Sequence, residues 1–285
     1  MLAATNATLD ATIHRYRLDY LPCSMLQPNT ANRCKNPEDA NWAAPMLFGR
    51  WAWDAPLFGA SVSGPGVQLI DATYAYGFHR LAGKLPPDTF GGFPSNYYST
   101  GYNAGYGSGG LAGIRYRDQG IRSYQFMVTH TQSGPYSWWE SASAPSTTSA
   151  WVGSHPTAGG GSSPHAWGIA NANKVLLDAL VTQRSDGVLL VGRGVPNEWL
   201  ASGKTISVAN FPTTNGTRIS LEMSSEGRTV TLRLTGSTGT VLFQLPAFVG
   251  NIASSSAGTV DQGTGTVQLP APNRTVTVQL RQSRA

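Results

Sequence analysis

The feature that most constrains this chain is a break in composition near residue 185. All 11 tyrosines and all five histidines lie before it, together with seven of the 8 tryptophans. Beyond it the sequence turns to short segments that alternate apolar and polar residues. Val188–Val191, Thr205–Asn210, Arg218–Met223, Thr229–Leu234, Val241–Leu245 and Thr275–Leu280 read as strands, because successive side chains of a strand face opposite sides of a sheet. Ser224-Ser225-Glu226-Gly227 separates two such runs as a hairpin loop does. Residues 186–285 are therefore expected to form a C-terminal antiparallel β-sandwich.

Residues 1–185 carry a helical pattern instead. Six helices are expected: Thr8–Tyr20, Pro45–Ala60, a third opened by Ser63-Gly64-Pro65 and running to Leu81, Tyr97–Ala112, Arg117–Thr131, and His165–Arg184. The last is the clearest, because Ile169, Ala172, Val175, Leu176, Ala179 and Leu180 recur at the 3.6-residue period. Pro45 suits a first helical turn. The chain thus reads as an α+β two-domain protein: a domain over 1–185 built of helical hairpins as a partial (α/α) toroid, followed by the β-sandwich over 186–285. Two connections in the helical part are long, Pro86–Asn96 and Ser133–Pro164, and the second holds three tryptophans. Loops of that length in a compact domain are usually functional, so both are read as walls of a site.

Charge and composition exclude several classes. The net charge is +5, but residues 1–185 and 186–285 each hold only a small basic excess, with no cluster or stripe, so no nucleic-acid partner is expected. No apolar run reaches the ~18 residues of a membrane span. Met1–Asp10 lacks a basic segment followed by an apolar one, so no signal peptide is visible. Cys23 and Cys34 share one polar loop and are compatible with a loop-closing disulfide or with two free thiols. His14, His79, His130, His155 and His165 show no metal-ligand spacing, so no metal is expected. The glycine runs match neither a dinucleotide nor a P-loop pattern, and no cofactor is expected.

Acidic residues are scarce before residue 186, which makes each informative. Glu140 stands in Pro135-Tyr-Ser-Trp-Trp-Glu-Ser, beside Trp138 and Trp139. A carboxylate next to indoles is partly desolvated, which suits acid/base chemistry, and indoles stack on the apolar faces of sugars. A loop-end acid hydrogen-bonded to backbone is the structural alternative. Asp54 follows Arg50-Trp-Ala-Trp, so it is either a carboxylate ringed by Trp51 and Trp53 or the i,i+4 partner of Arg50 on a helix. His165, after Gly159-Gly160-Gly161, can donate to a substrate hydroxyl or simply open a helix.

Three segments together carry a resemblance. Tyr-Arg-Asp-Gln-Gly-Ile-Arg-Ser-Tyr (116–124), Ser-Trp-Trp-Glu (137–140) and Ser-Pro-His-Ala-Trp-Gly-Ile-Ala-Asn-Ala-Asn (163–173) resemble the last third of an (α/α)6-barrel, six-hairpin glycoside hydrolase, with its β-domain following. Among these enzymes the pattern is most similar to the inverting α-L-rhamnosidases. The resemblance covers residues 115–185, and Pro164 stands where that family has an asparagine before the histidine. It implies hydrolysis of a glycosidic bond, with Glu140 as general base and His165 as a sugar contact; the residues themselves offer Asp54 as a candidate second catalytic carboxylate and Trp138, Trp139, Trp51, Trp53 and Tyr102 as candidate substrate contacts. A complete barrel has twelve helices where six are expected here. The chain then corresponds to the C-terminal half of a barrel, lacking an N-terminal half, or to a reduced relative. The full-length parent is expected to be extracellular. Two other classes fit the same residues: a polysaccharide lyase using Tyr98 or Tyr102 with Asn103, and a non-catalytic carbohydrate-binding protein.

Overall fold

A computed structural model describes residues 2–17, 19, 72, 97–98, 111, 117–118, 120–121, 124–125, 132–143, 159–184, 186–201, 203–236, 239–270 and 274–282. The chain is α+β with a substantial β component, and it divides into two compact units. One comprises Met1–Trp53 and Val62–Val175, the other Asp54–Ser61 and Leu176–Ala285.

In the first unit, helix α1 spans Leu2–Tyr16. It begins earlier than the expected Thr8, because Thr8 and Thr12 lie inside the helix and donate their hydroxyls to the carbonyls of Ala4 and Thr8 at 2.9 and 2.8 Å. It ends before the expected Tyr20, because Arg17 takes a left-handed conformation, φ 51, a common way to close a helix. Ala72, Leu111, Arg117, Asp118, Gly120, Ile121, Tyr124 and Gln125 are helical, within the third, fourth and fifth expected helices. The expected helix Pro45–Ala60 lies outside the described residues, as do Cys23 and Cys34.

The expected loop Ser133–Pro164 holds strands instead. These are β2 (Gln132–Gly134), β3 (Ser137–Trp138), β4 (Ser141–Ser143) and β5 (Gly159–Gly160). Strand β1, Tyr97–Tyr98, falls where a helix was expected to start, and it pairs antiparallel with β4. Aromatic residues fit a pleated surface well, and here the cross-strand partner overrides the helical periodicity. The order β1-β4-β5 makes a three-stranded sheet, while β2 and β3 form a separate hairpin.

Helix α2 spans Ala166–Leu180, shorter at its C-terminus than the expected His165–Arg184. Backbone chemistry explains the stop. Its last carbonyls are taken by the loop after strand β7: Gly192 N–H donates to Leu180 O at 2.8 Å, Gly194 N–H to Ala179 O at 3.1 Å, and Arg193 Nε to Asp178 O at 3.1 Å. With those orphan acceptors satisfied, Val181 and Thr182 leave the helix as β6, Val181–Gln183. Gly192 is required at this crossing. Its φ is 79°, and an added Cβ would come within 2.8 Å of Leu245 Cδ2 and 3.0 Å of Gln244 O.

The second unit contains two five-stranded sheets. Further strands are β7 (Leu189–Val191), β8 (Thr205–Pro212), β9 (Arg218–Glu226), β10 (Thr229–Thr235), β11 (Val241–Gln244), β12 (Ile252–Ser255), β13 (Thr259–Asp261), β14 (Thr266–Leu269) and β15 (Arg274–Leu280). One sheet runs β12-β15-β10-β9-β8, the other β13-β14-β11-β7-β6. The alternating residues point to one shared core: Ile219, Leu221 and Met223 of β9 and Val230, Leu232 and Leu234 of β10 meet Leu189, Val191, Val241, Phe243 and Val267 of the other sheet. Phe243 and Phe248 pack edge to face at its centre, 5.0 Å apart and at 83°, a favoured aromatic geometry.

The hairpin between β9 and β10 is tighter than the expected Ser224–Gly227 loop. Glu226 pairs with Thr229, leaving only Gly227 and Arg228 in the turn, and Gly227 supplies the positive φ of 56°. One pairing departs from the antiparallel expectation. Strands β7 and β11 are parallel, with Leu189 opposite Val241 and Val191 opposite Phe243. The chain leaves β7, builds β8, β9 and β10 in the other sheet, and returns in its original direction. A parallel pair requires such a long crossover.

Candidate functional site

The site of interest lies in the first unit, where three backbone segments are laced together. The N–H of Glu140 donates to Ser162 O at 2.9 Å, and the N–H of His165 donates to Trp138 O at 3.0 Å. These two bonds hold the Trp138–Glu140 segment beside the loop that opens α2. The Ser162 N–H also reaches the Glu140 carboxylate, 3.4 Å from Oε2. Gly161 lies against this carboxylate with φ +76, and a Cβ there would collide with Glu140 Oε2 and come within 2.8 Å of Glu140 Cβ. The glycine run before His165 therefore has a steric purpose: it lets the backbone pass beside the acid.

His165 is the cap of α2. Its carbonyl accepts from Ile169 N–H at 3.0 Å, and its Nδ1 accepts from Gly168 N–H at 3.2 Å. Side-chain acceptors at this position satisfy amides that the helix itself cannot. An Nδ1 that accepts a hydrogen bond carries no proton, which leaves Nε2 as the N–H of the neutral ring. The ring meets Trp167 edge-on, with centroids 6.0 Å apart and planes at 63°. A hydroxyl relay ties the neighbouring hairpin to the same loop: Ser133 Oγ lies 2.6 Å from Ser163 Oγ and donates to Ser137 Oγ at 3.1 Å. Ser133 can reach across because β2 carries a register shift between Gln132 and Gly134, and such a bulge re-aims a side chain.

The structure thus brings together Glu140, Trp138, Trp139 and His165 among the residues singled out in the sequence. Their environments differ from one another. Glu140 is exposed, rather than enclosed by its two neighbouring indoles, and Trp139 and His165 are half-buried. Trp138 is 4% exposed, so its indole serves the interior and presents no face to a ligand. Trp167 is 44% exposed. Asp54, Trp51, Trp53 and Tyr102 lie outside the described residues. Gly161 and Ser162, which fix the position of the acid, were not singled out in the sequence, although the glycine run that contains Gly161 was.

Tyr124 belongs to the same unit. Burial raises its phenol above the ordinary value of 10.0, and the nearby Tyr136 phenol adds to the effect.

In the second unit Asp186, Asp261 and Glu222 serve turns and surface pairs. Asp186 accepts from Arg184 and from Val188 N–H. Partial burial pushes its carboxyl up, but the Arg184 hydrogen bond, the Val188 amide and the Arg184 charge outweigh this and hold it below 3.8. Asp261 is also held below 3.8, by hydrogen bonds from Thr264 and Gly263. Glu222 meets Arg233 at 3.2 Å on an exposed strand face. A cleft of about 300 Å³ lies between Asp186, Thr213, Thr214 and Thr240, and within it the Thr214 N–H donates to Gln183 Oε1 at 2.7 Å. Among the described residues, no three of His, Cys, Asp or Glu come together as metal ligands, and no helix is long and apolar enough to cross a membrane. The chain matches no protein-family model, no curated protein and no solved structure.

Proposed function

We propose that the chain acts on carbohydrate as a glycoside hydrolase, or as the C-terminal part of one, by inverting carboxylate catalysis. One observation carries this reading. The Glu140–Ser162 and His165–Trp138 backbone bonds fix an exposed carboxylate and a helix-capping histidine on neighbouring segments. An exposed carboxylate has access to the water it must activate, and a rigid backbone holds it in place, as positioned catalysis requires.

In this reading Glu140 is the general base. His165 offers its Nε2 N–H to a sugar oxygen, and Trp139 and Trp167 supply apolar surface. Inversion needs a second carboxyl about 6.5–9.5 Å from the first, with water between. In this reading the helices of 1–185 belong to a six-hairpin toroid of the α-L-rhamnosidase kind, with the two sheets as its β-domain.

The test is hydrolysis of a panel of aryl glycosides, α-L-rhamnoside among them, by the chain and by its Glu140→Gln variant. Loss of a general base lowers turnover by about 10²–10⁴, and the amide retains the shape needed for binding. Near-normal turnover in Glu140→Gln removes Glu140 from the mechanism. An unsaturated, ultraviolet-absorbing product identifies a lyase instead, and binding without turnover identifies a carbohydrate-binding protein.

A further inference from the structure

Tyr136 is held in a conformation that its own packing does not explain. It occupies the turn between β2 and β3, where Gly134 pairs with Ser137 and only Pro135 and Tyr136 remain in the connection. Its φ is 52°, in the left-handed region that glycine and asparagine adopt readily and that disfavours residues with bulky side chains. Its side chain is nevertheless 81% exposed. Such strain persists only when surrounding structure enforces it, and it gathers at functional positions.

The hairpin below Tyr136 is firmly mounted. Gln132 and Trp138, paired across its base, are 3% and 4% exposed. The Ser137–Ser133–Ser163 hydroxyl relay ties it to the loop that opens α2. The result is a rigid stalk carrying an aromatic ring into solvent. A tyrosine so placed offers a large flat surface with a polar tip at little cost in side-chain freedom. Tyr136 is four residues from Glu140, so the two backbones are separated by at most about 14 Å of extended chain.

We propose that Tyr136 is a ligand-contact residue, an aromatic platform for a sugar ring of an oligosaccharide beyond the ring engaged at Glu140 and His165. This rests on the carbohydrate reading above.

Strain and binding pull in opposite directions here, and that makes the test selective. In Tyr136→Asn the left-handed turn is relaxed and the platform is lost. In Tyr136→Phe both strain and platform remain. Binding is read on immobilised di- to tetrasaccharides and on the corresponding 4-nitrophenyl monoglycosides, and the melting temperature is read in parallel. The expected result for Tyr136→Asn is an about tenfold loss on the longer glycans, a smaller loss on the monoglycosides, and a melting temperature equal to or above the parent's. Tyr136→Phe should bind like the parent. Two results overturn the platform while leaving the carbohydrate reading intact. One is full binding of the tetrasaccharide by Tyr136→Asn; the other is an equal loss on every glycan accompanied by a lower melting temperature. If the parent captures no glycan at all, the carbohydrate reading fails and the platform falls with it.

Discussion

Replacing Gly161 by alanine tests whether the glycine run exists to let the backbone pass beside Glu140. Two costs add. The first is the left-handed backbone, φ +76, which costs an L-residue about 1–2 kcal/mol. The second is the collision of the new Cβ with the Glu140 side chain. The carboxylate end can swing away, but Glu140 Cβ lies 2.8 Å off and is fixed to the backbone. Overpacking of that kind costs about 1–3 kcal/mol, giving a total of about 2–5 kcal/mol. Gly203 is the matched control: its φ is +79, and nothing lies within 4 Å of an added Cβ. Gly203→Ala should therefore show the backbone cost alone. The assay is native-state hydrogen exchange, read at the amides of Glu140 and His165, which bond to Ser162 O and Trp138 O. If these open locally, Gly161→Ala should speed their exchange about 30-fold or more, since each 1.4 kcal/mol is a factor of ten. Gly203→Ala should leave them unchanged and speed exchange only around its own loop, by about five- to thirtyfold. Unchanged exchange at Glu140 and His165 in Gly161→Ala would refute the argument that the glycine run makes room for the acid.

Two further predictions concern stability. Asp178 and Arg193 are each 3% exposed and form an ion pair at 3.5 Å where α2 meets the loop after β7; Arg193→Met should cost about 3–5 kcal/mol by stranding a buried carboxylate, whereas adding Asp178→Leu should recover part of it in urea denaturation. The pH dependence has two limbs. Asp186 and Asp261 have folded values below 3.8, so their contribution is present above that value and is lost as pH falls through the lowered folded values; Tyr124 has a folded value above 10.0, so its contribution is intact below 10 and is lost as pH rises past it. Melting temperatures across pH 2–11 should fall at both ends, and Tyr124→Phe should flatten the alkaline limb.

The β unit was legible wherever strands were long and strictly alternating. Ile219, Leu221 and Met223, then Val230, Leu232 and Leu234, repeat at a period of two because one face is buried. The strands that escaped notice are short or lack alternation. Ile252–Ser255 buries only its first residue, and Thr259–Asp261 buries none, so each owes its conformation to a neighbour's hydrogen bonds. The end of α2 was illegible for a similar reason: Val181–Arg184 contains no glycine or proline to break a helix, and what stops it is a set of donors at Gly192–Gly194. At the candidate site, Glu140 and His165 could be picked out by residue type and by resemblance. Trp138 could not be told apart from Trp139 in sequence, because two adjacent indoles look alike until one is known to face inward. Tyr136 left no signal, since a left-handed turn position advertises itself through glycine or asparagine, and here a tyrosine stands in it.

The parallel pairing of β7 with β11 bears on how the second unit assembles in time. β8, β9 and β10 are joined by short connections and can zip locally, within microseconds for a hairpin. Leu189, Leu190 and Val191 have no such option on one flank, because their partner there begins at Val241. During synthesis at about 5–20 residues per second, β7 emerges seconds before the strand that completes its environment. Until then it is an apolar edge in search of a ladder, the condition that invites pairing with another chain. The step that commits this unit to its fold is therefore the arrival of Val241–Phe243, and a nascent chain stalled before that point carries β7 as its exposed liability.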